Sequence, residues 1–177
     1  MLVSSEFVNR VLKKKCAQDP TLEGDARRMT ELGRVALRNP EAAALDDEDR
    51  ALIVLDKAVA SAHRELDEAA DMPMPEPPKL TRARSLLRSC LELDPHCYDA
   101  QCLLVLSDAI TQDQALEQLT SIEQEAHDWC LARSGALDGA TVDAWDATFM
   151  RPWLRIEGKI IDLLISCACY RSALERC

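Results

Sequence analysis

Four prolines fall within the eight residues MPMPEPPK, positions 72–79, and they constrain the fold more than any other feature of the sequence. Each proline fixes φ and removes a backbone N–H donor, so this segment favours an extended polyproline II conformation over helix or strand. We therefore expect a connector at residues 72–79, with an N-terminal three-helix unit over residues 1–71 and a second helical unit over residues 80–177. A ligand for an SH3-type domain is the alternative interpretation of the same prolines.

The residues on either side of this connector favour helices. Leucine and alanine dominate, only five glycines are present and aromatic residues make up 4% of the chain, whereas sheets favour β-branched and aromatic residues. Apolar residues recur at three- and four-residue spacing, for example at Leu52, Leu55 and Val59, and strand-like alternation is absent. The sequence therefore predicts an all-α protein.

Charge and hydropathy argue against two classes of partner. The formal net charge is −10, whereas nucleic-acid binding needs a basic surface that displaces counterions from phosphate. No stretch reaches the roughly 18 apolar residues of a membrane-spanning helix, and the N-terminal residues lack the apolar core of a signal peptide. We expect a cytoplasmic protein that binds neither nucleic acid nor membrane, with its eight cysteines as free thiols.

The segment from Ala83 to Pro95 carries the most specific motif. A small residue, a large apolar residue, a second small residue and a proline follow one another as Ala83, Leu87, Cys90 and Pro95, and the string LELDP closes the series. This pattern resembles the second helix of the tetratricopeptide repeat (TPR), a helical hairpin of about 34 residues. The resemblance implies antiparallel helical hairpins that stack as a short right-handed superhelix over residues 80–177.

Two weaker matches follow in the expected order. One starts at Tyr98; the other lies at the C-terminus, where the lead-in RPWLR resembles a degenerate TPR type of some bacterial proteins and of eukaryotic suppression-of-tumorigenicity proteins. The last repeat is incomplete at Cys177, so we expect either that the chain is a piece of a longer protein, which we favour, or that another subunit covers the exposed end. The resemblance assigns packing between helices to Ala83, Leu87, Cys90, Pro95, Leu104, Ala115 and Ala173.

The resemblance also implies a function, because TPR proteins bind peptides or helices in the concave groove that their first helices line. By position, the groove residues are Asp99, Cys102, Leu106, Ala109 and Ile110 of one hairpin and Arg155, Asp162 and Ile165 of the next. The carboxylate clamp of chaperone-binding TPRs is not matched, so the expected ligand is an apolar or basic amphipathic helix. That helix belongs to a partner protein, to another segment of this chain or to a second copy in a homodimer.

Cysteines and a histidine around the motif raise the alternative of a metal or redox site. Cys90, His96, Cys97 and Cys102 lie close in sequence, but no paired C-x2-C ligands of the structural zinc type are present. We therefore expect packing thiols, no metal and no cofactor. The acidic run at residues 46–49 lacks the glycine and closing glutamate of an EF-hand, so we expect it to be the solvated first turn of a helix.

A metal-dependent phosphohydrolase is the alternative function. All-helical HD phosphohydrolases bind metal through a histidine, a His-Asp pair and a later aspartate. His96, the dipeptide His127-Asp128 and Asp162 resemble that series. This function requires His96, His127 and Asp128 to converge. Without that convergence we expect a non-catalytic scaffold or adaptor module.

Overall fold

The computed structural model describes residues 2–70, 79–133 and 150–177, with side chains from Ser5 onward. These ranges contain nine α-helices and one turn of 3-10 helix at Pro20–Leu22, and no strand. The helices are α1 (Leu2–Gln18), α2 (Ala26–Arg38), α3 (Pro40–Ala43), α4 (Asp47–Ala70), α5 (Thr81–Leu93), α6 (Tyr98–Asp108), α7 (Gln112–Arg133), α8 (Arg151–Ser166) and α9 (Tyr170–Arg176). The prediction of an all-α protein is confirmed.

The chain divides into two compact units, Met1–Pro95 and His96–Cys177. The sequence placed the division within residues 72–79, but α5 belongs to the first unit because it packs along α4. The proline-rich connector itself lies outside the described residues, except for Lys79. The segment SGALDGA at residues 134–140, whose two glycines favour a loop, also lies outside them.

The pairing of α4 with α5 is anchored at both ends of α5. Near its C-terminus the fully buried Cys90 thiol donates to the carbonyl oxygen of Ala51 at 3.2 Å. At its N-terminus the carboxylate of Glu65, on α4, accepts from the backbone N–H groups of Arg82 (3.2 Å) and Ala83 (2.9 Å). Because the first N–H groups of a helix have no partner within the helix, Glu65 acts as a cap supplied by the neighbouring helix.

Short-range capping explains where several helices begin. Asp25 starts α2 by accepting from the N–H of Arg28, and Asn39 starts α3 by accepting from the N–H of Ala42. The pair Asn39-Pro40 follows the end of α2 and also begins a further helix, α3. An asparagine cap followed by a proline in the first turn is a start signal as well as a stop signal.

The second unit is built from two helix pairs that follow one another in sequence. α6 packs on α7 and on α8, α7 packs on α8, and α8 packs on α9. One buried cluster joins all four helices: Tyr98, Cys102, Leu119, Ala126, Ile156, Ile160, Leu164 and Ala173. None of the described helices combines the length and the apolar character needed to cross a membrane.

Candidate functional site

The best-defined candidate surface lies on α6 and α8, which pack side by side in the second unit. Positions three or four residues apart share one side of a helix, so Asp99, Cys102 and Leu106 form a row on α6. Arg155, Lys159 and Asp162 form a similar row on α8. We call these two rows the α6–α8 face. It includes five of the eight groove positions predicted from the sequence.

Asp99 and Arg155 join the two rows directly. Arg155 Nε donates to Asp99 Oδ1 at 2.6 Å, and Arg155 Nη2 donates to Asp99 Oδ2 at 2.5 Å. The Asp99 side chain is only 15% exposed, and the Arg155 side chain is 27% exposed. Such a two-bond ion pair fixes one helix against the other. Asp99 and Arg155 therefore bond to each other within the unit, although the sequence predicted that both would contact a ligand.

Cys102 lies beneath this ion pair and is buried, so it forms part of the packing and not of the accessible groove. Burial, and to a smaller extent the Asp99 carboxylate, raise the pKa of its thiol to about 12. The cations Lys159 and Arg155 oppose this shift. A thiol with a raised pKa is a weak nucleophile near neutral pH, because the thiolate is the reactive form.

The accessible part of the predicted groove lies at the C-terminal ends of α6 and α8. Leu106 is half-buried and packs against the core cluster, and Ala109 is half-buried. In contrast, Ile110 is 89% exposed and Ile165 is 49% exposed. Asp162, three residues before Ile165 on α8, is exposed and pairs with Lys159 at 3.2 Å. A ligand of this surface would therefore meet two apolar side chains and one carboxylate.

The turns that follow α6 and α8 are held together by a side-chain contact. The Cys167 thiol donates to the Gln112 side-chain oxygen at 3.1 Å. This contact brings the chain just after Ile110 next to the chain just after Ile165. The same end of the unit exposes Tyr170 (65%) and Leu174 (76%) on α9. The repeat motif assigned neither Tyr170 nor Leu174 to a surface, although their four-residue spacing on one helix is a detectable signal.

A second polar cluster attaches α9 to the rest of the unit. Arg176 donates to Glu157 at 2.7 Å and approaches Glu123 to 4.0 Å. The indole N–H of Trp153 donates to Glu123 at 2.5 Å. These residues come from α7, α8 and α9, so no short motif could have identified the cluster. Its members bond to one another, which makes it a structural contact.

The residues proposed for a phosphohydrolase site have other neighbours. His96 is exposed and stacks on Trp129, with ring centroids 5.3 Å apart, whereas His127 meets the ring of Trp153 at 5.1 Å. His127 Nδ1 and Asp128 Oδ1 are 3.2 Å apart. Across residues 2–70, 79–133 and 150–177, no three histidine, cysteine, aspartate or glutamate side chains are grouped so as to hold a metal ion. The described geometry thus offers no support for the alternative function.

The acidic run at residues 46–49 corrects another expectation, because it is not a fully solvated turn. Asp49 is fully buried, and Lys14 of α1 donates to its Oδ1 at 2.7 Å while the Leu45 N–H donates to its Oδ2. Lys14 also bonds to both oxygens of Asp46, at 2.6 and 2.7 Å. Burial would raise the pKa of Asp46, but the Lys14 contact and the Asp49 N–H outweigh it and lower that pKa. Lys14 therefore bonds to two of the four acidic residues of this run.

An apolar cleft of about 280 Å³ in the first unit is a further candidate site. Its lining residues are Phe7, Ala36, Leu37, Pro40, Leu52, Ile53, Asp56, Lys57 and Ala60. Lys57 pairs with Glu41 at 2.6 Å. Known small-molecule sites combine apolar walls with several convergent polar groups. With Asp56 and Lys57 as its charged residues, the cleft does not supply a recognisable catalytic arrangement.

Comparisons of the chain with protein-family models, with curated proteins and with solved structures found no match. The resemblance to the TPR family therefore rests on the sequence motif and stays a prediction.

Proposed function

We propose that the protein is a non-catalytic, TPR-like interaction module whose second unit binds a helical segment of a partner protein. One observation carries the proposal: α6 and α8 lie side by side and end in a surface where Ile110, Asp162 and Ile165 are exposed. In the TPR family these helices would be the first helices of neighbouring hairpins, the elements that line the ligand groove. The finer arrangement, a right-handed superhelix, is part of the same proposal.

The chemistry of the exposed residues specifies the ligand. Ile110 and Ile165 offer apolar contacts, and Asp162 offers a carboxylate from an exposed ion pair with Lys159 that a basic ligand can share. The Asp99–Arg155 pair satisfies its own charges and does not need a ligand. An amphipathic helix with an apolar stripe and a flanking lysine or arginine complements this surface. The formal net charge of −10 would steer such a basic segment toward the protein.

Two further observations are consistent with this module. Ala83, Leu87 and Cys90, which the TPR motif assigns to helix packing, are all buried, and Cys90 contacts α4 through its thiol. All eight cysteines are free thiols, as expected for a protein of the reducing cytoplasm. We propose the cytoplasm as its location on this basis.

The test is capture of partners from an extract of the native cells, with the full chain as bait, followed by quantitative binding. A helical segment of the captured protein is synthesised, and its affinity is measured by fluorescence anisotropy for the original chain and for Asp162→Arg. Replacing the carboxylate with a cation repels a basic ligand, so we expect affinity to fall at least about tenfold.

Glu117→Arg is the matched control, since Glu117 is an exposed acid on α7, away from the α6–α8 face. It introduces the same change in net charge as Asp162→Arg, so it separates the local effect from long-range steering. A second variant, Ile165→Asp, removes an apolar contact at the same surface. Equal affinities for Asp162→Arg, Ile165→Asp and the control would reject this surface as the binding site.

A further inference from the structure

Helix α9 exposes an apolar stripe that its own unit does not cover. Ala173 is buried and Arg176 bonds to Glu157, so this side of α9 packs against the second unit. Tyr170 and Leu174 are 65% and 76% exposed and lie one helical turn apart. Cys177, three residues beyond Leu174, is also exposed and continues the same stripe. Exposed contiguous apolar residues of this kind mark interaction surfaces.

Two charged residues flank this stripe. Arg171 and Glu175 are exposed, have opposite signs and lie four residues apart on α9. Within the part of the chain that the structure describes, neither takes part in an ion pair, whereas Arg176 does. The surface therefore combines an uncovered apolar stripe with one available positive and one available negative charge.

We propose that this face of α9 is an interface between two copies of the chain. The α9 helices pack antiparallel about a twofold axis at the level of Ala173. In this arrangement Arg171 of each copy lies opposite Glu175 of the other, which forms two equivalent ion pairs. Tyr170 of each copy packs on the Leu174 stripe of the other copy.

Charge complementarity identifies a second copy as the occupant. A twofold interface uses the same patch on both subunits, so the patch must be complementary to itself. A stripe flanked by charges of one sign would repel its own copy. Here the positive charge precedes the negative charge by one turn, so an antiparallel copy meets opposite charges at both positions. A parallel copy would place arginine against arginine and glutamate against glutamate.

The interface is tested by charge reversal and rescue in the full chain under reducing conditions. Sedimentation equilibrium over a range of concentrations measures the dimer dissociation constant. Arg171→Glu and Glu175→Arg each replace two attractive contacts with two repulsive ones, so each is expected to weaken the dimer at least about tenfold. The double variant restores both pairs with reversed polarity and is expected to recover most of the original affinity.

Two further variants complete the set. Leu174→Asp places a charge in the apolar stripe and is expected to leave only monomer. Glu117→Arg on α7 is the matched control and is expected to leave the dimer unchanged. All substituted residues are exposed, and far-UV circular dichroism verifies that each variant keeps its helices. A chain that stays monomeric at every concentration overturns the proposal, as does a double variant that associates no better than either single one.

Thiol cross-linking tests the antiparallel orientation. A twofold axis at the level of Ala173 brings Cys177 of one copy to the level of Cys169 of the other, and both thiols are exposed. A short bis-maleimide reagent applied to mixed isotope-labelled and unlabelled chains is expected to join Cys177 to Cys169 between chains. Predominant Cys177–Cys177 links would indicate a parallel pair and overturn the proposal. Absence of this dimer would not reject the α6–α8 face as a partner site, because the two tests substitute different residues.

Discussion

The two units of this chain differ in how deeply they bury their paired charged residues. In the first unit, Lys14 reaches from α1 to neutralise Asp49, a carboxylate with no exposed surface. In the second unit, Asp99 and Arg155 pair at the edge of the core and both remain partly exposed. The first unit thus depends on a fully buried charge, whereas the second places its strongest ion pair on a helix–helix surface.

Their exposed apolar side chains differ as well. The largest exposed fractions lie in the second unit, at Ile110, Leu174 and Tyr170. In the first unit, the described large apolar residues reach 57% at most, at Leu37. Among the described residues, the apolar side chains with the largest exposed fractions therefore belong to the second unit.

Removal of the lysine that neutralises Asp49 is expected to have the largest effect. Lys14→Met leaves the buried Asp49 carboxylate without its cation, and loss of one partner of a buried pair lowers the free energy of unfolding by about 3–5 kcal/mol. Urea unfolding followed by far-UV circular dichroism measures the change. Lys57→Met is the control: Lys57 and Glu41 are 55% and 60% exposed, so the loss there is at most about 1 kcal/mol. Similar losses for both variants would contradict the buried-charge account.

An apolar core substitution in the second unit gives the next largest effect. Leu119 has no exposed surface and lies in the cluster that joins α6 to α9. Leu119→Ala leaves a cavity and lowers the free energy of unfolding by about 2–5 kcal/mol. All three tryptophans lie in residues 96–177, so tryptophan fluorescence follows this unit during urea unfolding. Leu131→Ala, on the same helix at 47% exposure, is expected to change stability by less than about 1 kcal/mol.

Loss of the cap on α5 is expected to have a smaller effect. Glu65→Ala removes the acceptor for the N–H groups of Arg82 and Ala83 and destabilises the first unit by about 1–2 kcal/mol. Thermal unfolding monitored by circular dichroism at neutral pH provides the measurement. The matched control is Glu68→Ala, which alters an exposed glutamate of the same helix and stays within about 0.5 kcal/mol of the original chain. The cap assignment is rejected when the two variants lose equal stability.

Of the changes considered, acidic pH is expected to have the smallest effect on the free energy of unfolding that individual residues explain. Burial raises the pKa of Glu65, but bonds from Ala83, Arg82 and Ser61 outweigh it and lower that pKa below the ordinary value of 4.5. The pKa of Asp46 is likewise lowered below 3.8. A carboxyl with a lower pKa in the folded state stabilises the fold above its unfolded pKa, and this contribution is lost as pH falls through the folded value.

We therefore expect the free energy of unfolding to decline as pH falls below about 4.5. Urea unfolding at a series of acidic pH values measures the slope. Asp46→Asn removes one of the two groups and is expected to reduce that slope while the chain stays helical. An unchanged slope would indicate that Asp46 does not contribute.

Helical periodicity predicted the all-α class, because this signal is local. The apolar stripe at Leu52, Leu55 and Val59, which lies in α4, is an example. The division between units was not predictable in this way. It depends on the contact of Cys90 with Ala51, residues far apart in sequence and on opposite sides of the proline-rich segment.

The candidate surface was only partly predictable for a similar reason. The repeat motif placed Asp99 and Arg155 on neighbouring helices, and the structure brings them together. It also placed Cys102 in the groove, although this side chain is buried. A sequence pattern assigns residues to the face of a helix, but it does not tell which of them a neighbouring helix will cover. The burial of Asp49, which pairs with Lys14, was not predictable for the same reason.

The Glu65 cap has a consequence for protein engineering. Since a side chain of α4 holds the first N–H groups of α5, the alignment of these two helices is set through space as well as by the covalent connection. The entropy of closing a loop rises only slowly with its length. We therefore expect α4 and α5 to pack together as before when a foreign sequence is inserted between residues 70 and 79. The same position suits division of the chain into two fragments that reassemble when brought together, as in a split reporter.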